Sequence, residues 1–153
     1  MWIGKLLPWR KENTMKSVKK IVSIDDEPAI LKCIDQALSS RGYELHVTSD
    51  PDEGLKMLTE DKDVCLALLD IRMPIKNGFE IYRELRRVRK LPVLFVTAYP
   101  GSFNAKSDDI VEMWRNEFAD GTTDIIYKPF DLIALFEKVE GLIGKASGGE
   151  EEQ

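Results

Sequence analysis

The sequence predicts an α/β protein built as one doubly wound layer structure, with five parallel strands and helices on both faces. Three observations lead there. Short β-branched runs alternate strictly with amphipathic segments, an order that calls for crossover connections and a parallel sheet. Four of the five runs are nearly continuous apolar stretches, as strands covered on both sides are. The chain has 153 residues, 43% hydrophobic and 32% charged, enough for one domain with a sizeable core and too few to suggest a two-domain enzyme.

Residues 21–24 form the first strand. Ile30, Ile34 and Leu38 then recur at four-residue spacing after Pro28, and Gly42 supplies the stop signal of this first helix. Residues 43–48 alternate, with Tyr43, Leu45 and Val47 on one side and Glu44, His46 and Thr48 on the other, which suits an edge strand. His46, the only histidine, is therefore read as a solvated strand residue and not as a ligand. Asp50, Pro51, Asp52 and Glu53 combine an N-cap acid, a proline at the first helical position and a Glu three residues on, ahead of Leu55 and Leu58. Residues 64–69 form the third strand, and Ile81, Tyr82, Leu85 and Val88 mark the helix after it. Residues 93–96 form the fourth strand. A helix from about residue 108 would stack Ile110, Trp114 and Phe118, residues 125–127 form the fifth strand, and Leu132, Leu135, Phe136, Val139, Leu142 and Ile143 line the last helix.

The first twenty residues hold six basic side chains against Glu12 alone, so residues 1–17 read as a flexible basic extension, 18–146 as the domain, and 147–153 as a disordered acidic tail. A net charge of −5 argues against a surface that coats nucleic acid. Cys33 and Cys65 stand 32 positions apart with no second pair nearby, so neither a zinc site nor a disulfide framework is expected, and reduced thiols in a cytoplasmic protein are. The apolar run at 64–69 is far too short for a membrane span, and the N-terminus lacks the continuous apolar stretch of a signal peptide.

Ligands of open α/β sheets bind beyond the carboxyl ends of the strands. Asp25, Asp26 and Glu27 follow the first strand, Asp70 the third, Thr97 the fourth, and Lys128 and Pro129 the fifth. Crowded carboxylates repel and raise one another's pKa unless a divalent cation or the Lys128 ammonium offsets their charge. All-oxygen ligands favour Mg2+ or Mn2+, and Mg2+ with its several waters would suit Asp26 and Asp70 as direct ligands with Asp25 acting through water. A carboxylate is also a nucleophile toward phosphorus, and the metal, Lys128 and the Thr97 hydroxyl are suitable groups to hold phosphoryl oxygens. Taken singly, each residue has a local alternative: Asp25 and Asp26 as helix caps, Asp70 as a turn acid before Pro74, Thr97 as a cap near the Pro100-Gly101 turn. Their convergence on one sheet edge is what selects the chemical reading. The basic run Arg86, Arg87, Arg89, Lys90 suits a helix C-terminus, and the glycines of residues 141–145 are spaced wrongly for a phosphate loop.

Four motifs in order, Ile21-Val22-Ser23-Ile24-Asp25-Asp26-Glu27-Pro28, Leu69-Asp70-Ile71-Arg72-Met73-Pro74 with Gly78, Val96-Thr97-Ala98, and Tyr127-Lys128-Pro129-Phe130, closely resemble the receiver domains of two-component response regulators. The resemblance covers roughly residues 18–145 and implies a flavodoxin-like strand order of 2-1-3-4-5. It implies Asp70 as phosphoacceptor, Asp25, Asp26, Asp70 and the Arg72 backbone carbonyl as the Mg2+ shell, Thr97 as the hydroxyl switch and Lys128 as the cation that pairs with phosphate. It further implies a signalling switch without separate substrate turnover, fed by a histidine kinase or phosphotransfer protein and read by a downstream protein target, as a monomer or a weak phosphorylation-dependent dimer. About eight residues follow Lys145, too few for a helix-turn-helix output, so a stand-alone domain without direct DNA binding is expected.

The chain departs from the family pattern in three places. Ile125 stands where receivers usually carry an aromatic, which points to a non-switching docking module as the alternative. The interval from Thr97 to Lys128 is 31 positions, about nine more than receivers commonly show, with the surplus near residues 100–107. Arg72 and Tyr99 form a bulky pair at positions that tune phosphate lifetime in this family, which suggests a shielded, slowly hydrolysing site.

Overall fold

The computed structural model describes residues 18–98, 116 and 119–146. The elements are β1 (Lys20–Ile24), α1 (Pro28–Ser40), β2 (Glu44–Thr48), α2 (Pro51–Glu60), β3 (Val64–Asp70), α3 (Gly78–Val88), β4 (Val93–Thr97), β5 (Thr123–Tyr127) and α4 (Leu132–Ile143). The helix expected from residue 108, the surplus segment at 100–107, Tyr99 and Trp114 lie outside the described residues, as do both tails.

All four strand pairings are parallel, and the sheet runs β2-β1-β3-β4-β5, the expected order 2-1-3-4-5 with β2 at one edge. The central strands read as nearly continuous apolar runs because neighbouring residues are buried on opposite faces. Val22, Ile24, Ala67, Leu69, Val93 and Phe95 pack with Leu58 of α2 and Ile81, Tyr82 and Leu85 of α3. Ile21, Leu66, Leu68, Leu94 and Val96 pack with Ile34 and Leu38 of α1 and Leu135 and Val139 of α4. Each fully buried Leu, Ile or Phe contributes about 1.5–3 kcal/mol, so the two layers hold the sheet rigid from both sides.

Most local start and stop signals act as the residues suggest. Asp50 caps α2 by accepting from the Asp52 and Glu53 amides, Asn77 and Glu80 form a reciprocal capping box on α3, and Asp131 caps α4 through the Ala134 amide. Gly42, with φ of 98°, supplies the left-handed residue just after α1.

Four details differ from the sequence reading. The Glu53 carboxylate does not reach back to its own helix start; it accepts from the Thr48 hydroxyl at 2.9 Å and meets His46 Nε2 at 3.1 Å. Thr48 is accordingly buried, because Glu53 and the Asp50 amide satisfy its hydroxyl. Val88 is exposed at the end of α3, where the buried stripe has already ended at Leu85. Leu132 is also exposed, at the first turn of α4. Both cysteines are free thiols, and no helix among the described residues is long and apolar enough to cross a membrane.

Candidate functional site

Sheet register fixes the site. Ile24 pairs with Leu69, Asp70 with Val96 and Thr97 with Tyr127, so the carboxyl ends of β1, β3, β4 and β5 finish along one edge. Two backbone hydrogen bonds extend the sheet past its last side chains: the Asp25 amide donates to Thr48 O and the Lys128 amide to Thr97 O. The Lys128–Pro129 peptide bond is cis. Asp25, Asp26, Asp70, Thr97 and Lys128, which lie far apart in the chain, are thereby brought together.

Asp70 closes β3 and is buried. Its Oδ1 accepts from the Arg72 amide at 3.1 Å, while the Arg72 side chain stays exposed on the rim. Gly78 opens α3 directly against this residue, since a Cβ there would lie 2.6 Å from the Asp70 carbonyl oxygen. Only glycine lets the helix come this close. Asp25 is buried and its Oδ1 accepts from the Glu27 amide at 2.9 Å, whereas Asp26 is exposed. Neither caps α1: the N-cap position belongs to Glu27, whose side chain makes no capping bond. The local alternative for these two acids is therefore not what the structure uses them for.

One ligand oxygen from each of Asp25, Asp26 and Asp70 lies within 4.8 Å of the others. The sole cation inside this group, among the described residues, is Lys128, with Nζ at 2.6 Å from Glu27, 2.9 Å from Asp25 and 3.6 Å from Asp70. Burial, and then the neighbouring Asp25 charge, push the Asp70 carboxyl up to about 7, with Lys128 opposing them. Burial raises Asp25 too, against the pull of Lys128. Burial pulls the Lys128 ammonium down, but its contacts with Glu27 and Asp25 outweigh that and leave it raised. The negative side chains are thus only partly balanced by the protein itself.

The Thr97 hydroxyl is fully buried and has no hydrogen-bond partner among the described residues. A buried hydroxyl left unpaired costs about 1–3 kcal/mol, so an arriving acceptor oxygen is favoured here. Three carboxylates with hard oxygen donors, short of positive charge, fit a divalent cation such as Mg2+; the orphaned hydroxyl and Lys128 fit an oxyanion beside it. Around them opens a cleft of about 640 Å³, walled by Asp26, Glu27, Asp70, Arg72, Asn77, Ala98 and Lys128.

Two participants were not visible as such in the sequence. Glu27 is the nearest partner of Lys128, and Gly78 sets the closeness of α3 to Asp70. The first belongs to the acidic triplet after β1 and looks like a helix-start residue; the second follows the family motif but gives no hint of what its missing side chain spares. Ile125 pairs with Phe95 and packs partly buried against the same cluster as that ring, so no aromatic occupies this place on β5.

The family model for the response regulator receiver domain matches residues 21–140. The transcriptional regulatory protein CpxR of Klebsiella pneumoniae is 27% identical over 136 residues, covering 89% of this chain and 54% of that protein. The chain thus spans about half the length of that relative. A CheY-like receiver domain protein from Methanospirillum hungatei is 30% identical, with a TM-score of 0.67 over 81% of this chain and 92% of that one. The response regulator TrrA from Thermotoga maritima, solved in complex with Mg2+ and BeF, is 28% identical, with a TM-score of 0.64 over 82% of this chain and 99% of that one. With a family match that spans most of the chain and a sheet edge that gathers its acids, threonine and lysine, this chain belongs to the response regulator receiver domain family.

Proposed function

We propose that this domain is a phosphorylation-dependent switch that accepts a phosphoryl group on Asp70 from a phosphohistidine of a histidine kinase or phosphotransfer protein. An Asp70 carboxylate oxygen bonds to phosphorus as the phosphorus–nitrogen bond of the donor breaks, and the leaving imidazole takes up a proton. Asp25, Asp26, Asp70 and the Arg72 carbonyl would hold Mg2+, or Mn2+ in its place, which when bound supplies charge stabilisation to the phosphoryl oxygens. Lys128 pairs with another phosphoryl oxygen, and Thr97 donates its free hydroxyl to a third. The buried Thr97 hydroxyl, at the same sheet edge as Asp70 and without a hydrogen-bond partner among the described residues, is the observation that supports the reading best. Output would follow from the shift of Thr97 toward the new oxyanion, read by a downstream protein. The domain would work as a monomer or a phosphorylation-dependent dimer, taking up and losing one phosphoryl group per cycle.

The test is intact-mass spectrometry after incubation with acetyl phosphate and Mg2+. One phosphoryl mass is expected in the wild type and none in Asp70→Asn; an unchanged wild type, or a variant labelled equally, refutes the proposal. Ile125, packed beside Phe95 in place of a ring, favours a second reading as a docking module that does not switch. Beryllofluoride with Mg2+ should then leave the amide spectrum around Thr97 and Lys128 unmoved, whereas a switch shifts it.

A further inference from the structure

The Lys128 ammonium is closer to Glu27, at 2.6 Å, than to Asp70, at 3.6 Å. Glu27 occupies the N-cap position of α1 and makes no capping bond with its side chain, so that carboxylate is directed across the cleft and not into its own helix. The two partners differ in setting: the Lys128 side chain is 9% exposed, while that of Glu27 is 58% exposed at the mouth of the cleft. We infer that Glu27 is a positioning residue for phosphoryl capture, one that holds Lys128 off Asp70 and places a fixed negative charge where an anionic phosphodonor must enter.

This inference rests on the reading of Asp70 as phosphoacceptor and adds a determinant of donor preference to it. An ammonium has three donors. Here one is committed to Glu27 and another faces Asp25, and the bond to Glu27 keeps Nζ 3.6 Å from Asp70, so moving up to a phosphoryl oxygen there stretches or breaks that bond. Water can take over the exposed carboxylate, so the lysine is released without leaving a buried charge unpaired. What persists is the charge of Glu27 itself, which opposes entry in proportion to the charge of the donor and is weakened by salt. Glu27 thus favours a donor whose own basic surroundings neutralise the approach, such as a phosphohistidine presented by a protein, over a free dianion.

The experiment compares wild type, Glu27→Gln and Glu27→Asp, all with saturating Mg2+, for the rate of phosphoryl uptake from acetyl phosphate, a dianion, and from phosphoramidate, a monoanion. Glu27→Gln should accelerate uptake from acetyl phosphate roughly fivefold and uptake from phosphoramidate less, and the gain should shrink as ionic strength is raised. Glu27→Asp, which keeps the charge, should stay near the wild type. Equal rates for all three proteins, equal gains with both donors, a gain indifferent to salt, or a slower Glu27→Gln would each overturn the inference while leaving Asp70 as acceptor. A wild type that gains no phosphoryl mass would overturn the receiver reading and this inference together.

Discussion

The two ends of the sheet use charged side chains in opposite ways. At the amino ends of the strands, Arg89 donates to the carbonyls of Leu58, Asp61 and Val64, Lys19 to those of Ile143 and Lys145, and Lys20 to Asp61 at 2.6 Å. That end is neutralised and closed by its own hydrogen bonds. At the carboxyl ends, Asp25, Asp70 and Glu27 share one lysine beside the exposed Asp26, burial pushes the Asp70 carboxyl up to about 7, and the Thr97 hydroxyl has no partner among the described residues. Both ends belong to one rigid sheet, so the contrast separates polar groups that stabilise the fold from polar groups kept in need of a ligand.

The largest expected effect tests the open end directly. Asp70→Asn should abolish phosphoryl uptake and, without metal above pH 7, should raise stability, because an uncharged amide removes repulsion from Asp25. At the closed end, Arg89→Ala leaves three carbonyls without their donor and should cost about 3 kcal/mol in urea unfolding, with phosphoryl uptake per folded molecule unchanged. If uptake falls as well, the two ends are not independent. Gly78→Ala joins stability to function: the new Cβ would push α3 off the Asp70 carbonyl, costing about 2 kcal/mol and slowing uptake in the same protein.

The pH dependence follows from the sign of the Asp70 shift. Its folded value of about 7 lies above the ordinary value of 3.8, so between them the folded protein keeps a proton that the unfolded chain has released. Stability of the metal-free protein should therefore be fully favoured at low pH and fall as pH rises through this window, by about 2 kcal/mol. Mg2+ should reverse most of that loss at pH 8, and Asp70→Asn should lack it; denaturation with and without a chelator measures both. The smallest effect is expected from Asp61→Asn, whose partner Lys20 remains near solvent, so the unfolding midpoint should barely move.

Much of this was legible before any coordinates. The nearly continuous apolar runs of β1, β3 and β4 announce strands buried on both faces, and the chemical residues at their ends fall where an open α/β sheet must place a site. Pairing of side chains across the cleft was less accessible. Nothing in the spacing of Glu27 and Lys128 says that they meet, because the contact crosses the ends of the two strands, β3 and β4, that lie between β1 and β5. Likewise Thr48 alternates as a polar edge residue should, yet is buried because α2 folds Glu53 back over it. Periodicity reports which face a residue takes on its own strand, and only the packed helices decide what then covers it.

The Thr97 hydroxyl, without a partner among the described residues, has one more consequence. Because it is neutral, its readiness to donate does not fade with ionic strength or with titration of the aspartates at the same sheet edge. Replacing it with valine, of nearly the same shape, would quiet the tension and leave a sturdier but less responsive molecule. Responsiveness and resting durability are then set against each other at a single atom.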